Sequence, residues 1–381
     1  MEMNNGSFNM DFILLGFSEW PQLERIISVI VLIFYVVILV GNTMIILVSN
    51  LDPKLHTPMY FFLSNLSFLD LCYTNSVIPQ MLVHMWGPEK SISRLSCMFQ
   101  VAIAGDLGAT ECLLLAVMAY DRYAAVCQPL HYTVIMHPQL CHSMVLAAWL
   151  TSIGCTTLIF TLILMLPRCG HQTVDNFFCE ILDLIKTACA YSMVLEVLFL
   201  SLSVVLLLVP LTVILISYGA ITRAVMRIKS ATRWQKLLST CGSHLTVVTL
   251  FYGAIMSMYM RPQNSFSKNE GKFIALVYVI LIPSLNPLIY SLRNKDVKNA
   301  VKKILSQERA RLGSTAAVSA QRHQVAVLRT DLAAGAATAP AATKSLHRLH
   351  LCTGHGGLPA GHPAPTSARH IFPHLDPGLA L

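Results

Sequence analysis

Seven apolar runs constrain this chain more than any other feature: Ile26–Ser49, Met59–Val83, Met98–Ala119, Ser143–Leu166, Val194–Ile221, Leu237–Met260 and Phe273–Leu292. Each has about the 20 residues that a helix needs to cross a bilayer. A soluble domain does not carry so many: only 12% of the 381 residues are charged, against about 25% in an average soluble protein. The expected fold is an all-α membrane protein, a bundle of seven transmembrane helices. Pro79, Pro283 and Pro287 fall inside the second and seventh runs. They need not end them, because in a membrane bundle neighbouring groups can satisfy the carbonyls a proline frees.

Charge in the short loops sets the orientation. Lys54, then Arg227, Lys229, Arg233 and Lys236, then Arg293, Lys295, Lys298, Lys302 and Lys303 fall on one side with few acids near them. The bases of the other side, such as Lys90, Arg168 and Lys272, are diluted by Glu89, Asp175, Glu180, Asp183 and Glu270. Positive loops face the cytosol, so the N-terminus is expected outside and the C-terminus inside. The net charge of +8 then belongs to cytosolic loops and tail, and no basic patch interleaved with aromatics points to nucleic acid. The first residues lack a basic stretch ahead of an apolar core, so no cleavable signal peptide is expected and the first span targets the chain. Asn5, in Asn5-Gly6-Ser7, becomes a glycosylation acceptor on the outer side.

The organisation expected is an extracellular N-terminus over 1–25, the bundle over 26–292, a short amphipathic cytosolic eighth helix over 293–306 and a cytosolic tail over 307–381. That tail is rich in Ala, Gly, Pro and His without sustained apolar periodicity, the composition of a disordered segment. Its His347–His355 tract lacks a second pair of metal ligands. Cys97, Cys169, Cys179 and Cys189 all fall outside, where disulfides form; four cysteines allow three pairings, and spacing does not choose among them.

Charged and amide side chains within spans are costly and mark function. They are Asn42, Asn65, Asp70, Asp106, Glu111, Asp121, Arg122, Glu196 and Asn286. Glu111 and Arg122 stand eleven residues apart on one face of the third helix, separated by roughly 16 Å of rise. One lies mid-membrane and the other at the cytosolic edge.

At this point the residues resemble a family. "GN" at Gly41, "LHTPMYFFLSNLSFLDLCY" from Leu55, "MAYDRYAAVCQPLHY" from Met118, "SY" at Ser217, "KLLSTCGSHL" from Lys236 and "PSLNPLIYSLRN" from Pro283 together resemble an olfactory receptor, a rhodopsin-like G protein-coupled receptor. The resemblance runs from about Asn9 to Leu305. Ala124-Ala125-Val126 after the DRY triplet is a small departure from the family's usual pattern, and the long tail is a larger one.

The resemblance implies a plasma-membrane receptor that binds an odorant inside the bundle and activates a stimulatory olfactory-type heterotrimeric G protein, raising cyclic AMP. Asp121, Arg122, Tyr123, Tyr218, Asn286, Pro287 and Tyr290 would form the switch that couples to it. Asp70, Glu111 and Asn286 match the family's mid-bundle polar site. Two acids there cannot both ionise in a low dielectric unless a cation joins them, so either a sodium ion sits among them or one acid keeps its proton. No other cofactor is implied. The ligand-lining positions correspond to Ala104, Gly105, Gly108 and Ala109; Leu202, Ser203 and Leu206; Tyr252, Ile255, Met256 and Tyr259; and Val279. The last helical set but one has i, i+3, i+4, i+7 spacing, which is one face. Such a pocket suits a small, mostly hydrophobic molecule with one polar group. The family also implies the pairing Cys97–Cys179 and Cys169–Cys189.

Other functions fit less well. An aminergic receptor would want a carboxylate where Ala104 stands, and Asp106 lies about 200° round the helix from it. A retinal pigment needs a lysine within the seventh span, whereas Lys272 is at its edge. A channel or transporter would line a continuous polar route that the spans lack. No nucleophile with its base and no metal box suggests an enzyme, so catalytic residues are expected to be absent.

Overall fold

The computed structural model describes residues 11–88, 90–165, 173–186, 193–227, 231–259, 268–293, 297–304 and 306; the side chains at 182–183, 186, 193–196, 199–200, 231–240, 259, 268–269 and 290–293 lie outside that description. The chain divides into two units, Met1–Ile304 and Leu305–Leu381. Asn5, Cys169, Cys189 and the tail over 307–381 fall outside the described residues.

Seven spans are present: α1 (Pro21–Leu51), α2 (Pro58–Trp86), α3 (Arg94–Cys127), α5 (Pro138–Leu164), α7 (Met193–Met226), α8 (Ala231–Tyr259) and a last one made of α9 (Lys268–Leu276), a π-helical turn (Val277–Leu281) and α10 (Ile282–Arg293). Short helices α4 (Tyr132–Ile135) and α6 (Ile181–Lys186) lie between spans. Among the described residues six helices are long and apolar enough to cross a membrane. The 29-residue α2 is long enough but less apolar, because its inward face carries buried Ser67, Asp70 and Thr74. The protein is a multi-pass membrane protein built as a seven-helix bundle.

Local chemistry starts and bends these helices. Pro21, Pro58 and Pro138 stand in the first turns of α1, α2 and α5, where a missing N–H costs nothing. The Ser93 hydroxyl accepts the Ser96 N–H at 3.2 Å to cap α3. That helix runs past the apolar stretch, so Asp121 and Arg122 lie within it and not beyond its end.

The seventh span shows how a buried proline is accommodated. Pro287 has no N–H for the carbonyl of Pro283 four residues earlier; Asn42 of α1 supplies the missing donor, its Nδ2 lying 3.2 Å from that oxygen. Gly41 lets the helices approach this closely: a Cβ there would meet the Pro287 ring carbons at 2.8 Å. Pro283 likewise has no N–H to offer the Val279 carbonyl, and the wider π turn, Val277–Leu281, falls at that point.

At the end of the bundle near Cys97, three short strands form a sheet that the sequence reading did not foresee. β1 (Phe12–Leu14) lies between β2 (Ser91–Ile92), antiparallel, and β3 (Thr173–Val174), parallel, with Ile13 opposite Ser91 and Thr173. Strands of two and three residues carry no readable alternation. They are held by a cluster in which Phe12, Leu14, Ile92, Met98, Val174 and Leu184 pack around Cys97 and Cys179. Those two cysteines form a disulfide, which ties the loop after α5 to the head of α3. Lys272 completes the clasp: its Nζ donates to the Gly16 carbonyl and pairs with Asp175, at 2.7 and 2.6 Å.

At the opposite end, residues 297–304 are helical. Val297 and Ala300 are buried against Val48 and Leu55, with Val301 and Ile304 packed beside them, while Lys298, Lys302 and Lys303 are exposed.

Candidate functional site

A cavity of about 180 Å³ opens in the half of the bundle nearest the disulfide, between α3, α5, α7 and α8, beneath residues 178–181. Small residues of α3 make the room. Ala104, Gly105, Gly108 and Ala109 all face it, and a Cβ added to either glycine would meet nothing within 4 Å. Ser203 and Leu206 of α7 and Ile255 of α8 complete the part of the wall that the sequence pointed to.

Other residues of that set stand off the wall. Tyr252 is buried one turn deeper, with its hydroxyl 3.4 Å from the Cys112 carbonyl. Val279 is packed among Val77, Phe178 and Ile280. Leu202 and Met256 are half-buried outside the cavity. The side chain of Tyr259 lies outside the described residues, as does that of Tyr290.

The wall also holds residues that the sequence reading missed: Tyr73, Thr156, Phe160, Phe178, Glu180, Phe251 and Tyr278. Two signals could have found several of them. Phe178 and Glu180 flank Cys179, whose bridge to α3 places its neighbours over the bundle. Thr156 and Phe160 are four apart, hence on one face of α5.

Below the cavity lies the mid-bundle polar group. Asn286 Nδ2 donates to Asp70 Oδ2 at 2.9 Å, and the Thr74 hydroxyl donates to the Asp70 carbonyl at 2.7 Å. Glu111 is near enough to both to interact with them. Among the described residues, Asp70 Oδ1, Glu111 Oε1, Asn286 Oδ1 and Ser67 Oγ are buried without a hydrogen-bond partner. Unsatisfied oxygen donors of the neighbouring Asp70, Glu111 and Asn286 fit a small hard cation better than a transition metal. No cluster of three or more His, Cys, Asp or Glu side chains is found among the described residues.

Asp121 and Arg122 occupy the other end of the bundle. Arg122 reaches Asp121 Oδ2 through Nη2 at 2.6 Å and Nε at 3.0 Å, while the Tyr132 hydroxyl of α4 donates to Oδ1 at 2.7 Å. Asp121 is therefore held from two elements and is 1% exposed. Burial, and then the Asp121 carboxylate, push the Tyr132 phenol up from its ordinary range, so it stays a donor. Tyr123 lies beside Tyr120, ring centroids 6.2 Å apart. Tyr218 of α7 is hydrogen-bonded to His244 Nδ1 of α8 at 3.0 Å, with the rings stacked. The sequence reading gave His244 no role. It is 1% exposed, and its place in "STCGSH" one helix away from Tyr218 carries no signal that the two meet.

Comparison with known proteins agrees with this architecture. Residues 31–308 match the family model described as olfactory receptor. Olfactory receptor 2W1 of Homo sapiens is 53% identical over 305 residues, which are 80% of this chain and 95% of that protein. Olfactory receptor 2H1 of Homo sapiens is 52% identical over 307 residues, 81% and 97% of the two chains. Olfactory receptor 2G6 of Homo sapiens is 53% identical over 319 residues, 84% and 99%. The family is one of G protein-coupled receptors and not of enzymes. With a match over most of its length, the seven-helix bundle and the Cys97–Cys179 bridge, the chain belongs to the olfactory receptor family.

Proposed function

We propose that a small, mostly hydrophobic odorant occupies the cavity beside Gly105 and Gly108, and that its binding opens the Asp121–Arg122 end to a stimulatory olfactory-type G protein, which raises cyclic AMP. The observation that carries this reading is the cavity itself: hollowed beside small α3 residues, mostly apolar, and at about 180 Å³ below the roughly 300–1,000 Å³ of sites for drug-sized ligands. α8 connects the two ends. Ile255 and Phe251 stand on the cavity wall, and His244 of the same helix holds Tyr218. Eleven residues of helix make a lever of roughly 16 Å, so a ligand that contacts α8 differently in two arrangements shifts their populations.

Arg122 is engaged by Asp121, and Tyr218 by His244; in this reading those contacts belong to a closed end. In an open one, Arg122, with Tyr218, Tyr123 and Tyr290 around it, is free to meet the G protein. Pro287 next to Asn286 allows the seventh helix to yield. Asp70, Glu111, Ser67 and Asn286 would hold a sodium ion, whose positive charge would offset the paired acids. The Asp121–Arg122 end faces the cytosol in this reading, in keeping with the exposed Arg223, Arg227, Lys302 and Lys303 near it. The N-terminus, glycosylated at Asn5, and a Cys169–Cys189 bridge then lie outside the plasma membrane.

A broad odorant panel applied to cells that express the receptor with a cyclic AMP reporter tests this. Responses that disappear with Arg122→Ala at equal surface expression support it. Agonists that act through the receptor without any change in cyclic AMP refute the stimulatory pathway.

A further inference from the structure

Asp106 is a carboxyl group within a membrane span, and neither the cavity wall nor the Asp121–Arg122 end includes it. It is half-buried on α3 beside Gly105, which faces the cavity where Asp106 does not. Its partners are on α5. The Ser152 hydroxyl lies 2.6 Å from the Asp106 carbonyl and 2.7 Å from Oδ1, and the Thr156 hydroxyl lies 3.2 Å from the same Oδ1. On α3 itself, the Thr110 hydroxyl donates to the Asp106 carbonyl at 2.9 Å. Ser152 and Thr110 are fully buried, so the tie runs between the two helices. Packing alone would not need a polar side chain there, since placing one within a span is costly.

The two α5 hydroxyls depend on that carboxyl to different degrees. Ser152 also reaches the main-chain carbonyl at position 106, a contact that any side chain there would leave in place. Thr156 has acceptors in its own helix, the Ser152 and Ile153 carbonyls at 2.8 and 3.3 Å. Its hydrogen bond to another helix, among the described residues, is the one to Asp106. Ser152 is therefore the pivot, and the carboxyl holds α5 one turn nearer the disulfide. From Thr156 onward that part of α5 supplies Ile159, Phe160 and Ile163 to the cavity wall, while α3 supplies Gly105 and Gly108.

Resting on the reading of this cavity as the odorant site, we propose that Asp106 is a positioning residue for it: by holding Thr156 through a carboxyl oxygen, it fixes the gap between the cavity-lining parts of α5 and α3. It thereby sets the breadth of odorant that fits, without touching the odorant. The role needs an acceptor at Oδ1, which a carboxyl and a carboxamide both provide.

The test uses the full-length receptor in cells, with responses normalised to receptor at the surface. The ligands are analogues of an active odorant that keep its polar group and grow in breadth, as from hexanol to cyclohexanol and cyclooctanol. Asp106→Leu, close in shape but without an acceptor, should raise the potency of broad members relative to slim ones by roughly 2- to 10-fold, the equivalent of one hydrogen bond released. Asp106→Asn keeps the acceptor and should keep the unmodified rank order. Thr156→Val breaks the same bond from its other end and should give the same shift, so that Asp106→Leu made in its background adds nothing further. A side chain needed only for folding would lower the amount of receptor at the surface and leave the relative potencies of what arrives unchanged. That result, or an asparagine variant that behaves as the leucine one does, overturns the proposal. Should Asp106→Leu fail to reach the surface, Thr156→Val decides alone, and unchanged relative potencies in it overturn the proposal as well. The bulky Gly108→Ile variant separates the two levels. If it leaves every potency unchanged, the cavity reading falls and the proposal with it; if it changes them while Asp106→Leu and Thr156→Val do not, the cavity reading stands and the tie falls.

Discussion

Replacing Gly108 by alanine should change which odorants the receptor prefers without harming its folding. A Cβ at this position meets nothing within 4 Å, and the position faces the cavity, so the new methyl enters ligand space and no packed neighbour. In the helix itself, alanine is favoured over glycine by about 1 kcal/mol, and surface expression should hold or rise. A ligand that fills the cavity must then tolerate overpacking of about 1–3 kcal/mol. At about 1.4 kcal/mol per decade, this raises its half-maximal concentration roughly 5- to 150-fold. A homologue one or two carbons shorter, which leaves that space empty in the unmodified receptor, should instead gain about 0.8 kcal/mol for each methylene's worth of contact restored. The signature is therefore a crossover along a chain-length series, read as dose–response curves normalised to receptor at the surface. Gly154→Ala is the control, since that glycine also has open space around it but faces away from the cavity. Parallel shifts for all chain lengths, or no shift for any, would refute the reasoning.

Gly41→Ala should act in the opposite way: the added methyl runs into the Pro287 ring, overpacking costs about 1–3 kcal/mol, and flow cytometry should show less receptor at the surface, with unchanged potency for what remains. Asp121→Asn weakens a charge-assisted bond worth about 1.5–3 kcal/mol and should raise basal cyclic AMP roughly tenfold or more. Tyr132→Phe, which removes only the second restraint on Asp121, should raise it less; equal basal signals in both variants and the unmodified receptor would leave the pair as a mere membrane anchor. Arg122→Lys separates those roles further, because an anchor tolerates either base whereas a bidentate contact to Asp121 does not. Peptide mapping without reduction should return Cys97 joined to Cys179 and Cys169 joined to Cys189; Cys97 joined to Cys169 or Cys189 would contradict it.

The spans were legible because a bilayer demands length and apolarity from each segment separately, a property that one sequence window displays. The Asp121–Arg122 pair was legible for the same reason, as charge where a membrane helix should not carry it. Contacts between segments were not. Tyr252 and Ile255 share a face of α8, yet one turn of depth puts the first against Cys112 and the second on the cavity wall. Nothing local in "FFCE" says that Glu180 reaches Tyr278, and nothing around His244 names Tyr218 as its partner. The π turn escaped notice because it answers a missing hydrogen bond, and such an answer depends on how the neighbouring helices close in. Asn42 is the intermediate case: a buried amide with no role until the Pro283 carbonyl is found beside it.

The placement of β1 between β2 and β3 constrains how the molecule is made. Ile13 pairs with Thr173, so β1 finds one of its partners only after α1, α2, α3 and α5 have been synthesised and inserted. Until then Phe12 and Leu14 have no cluster to enter, and Lys272, which holds the Gly16 carbonyl, arrives later still with the last span. A strand that precedes every span in the chain is thus among the last to be fastened. A newborn receptor stalled at any earlier stage therefore carries Phe12 and Leu14 without the full cluster that buries them in the finished bundle.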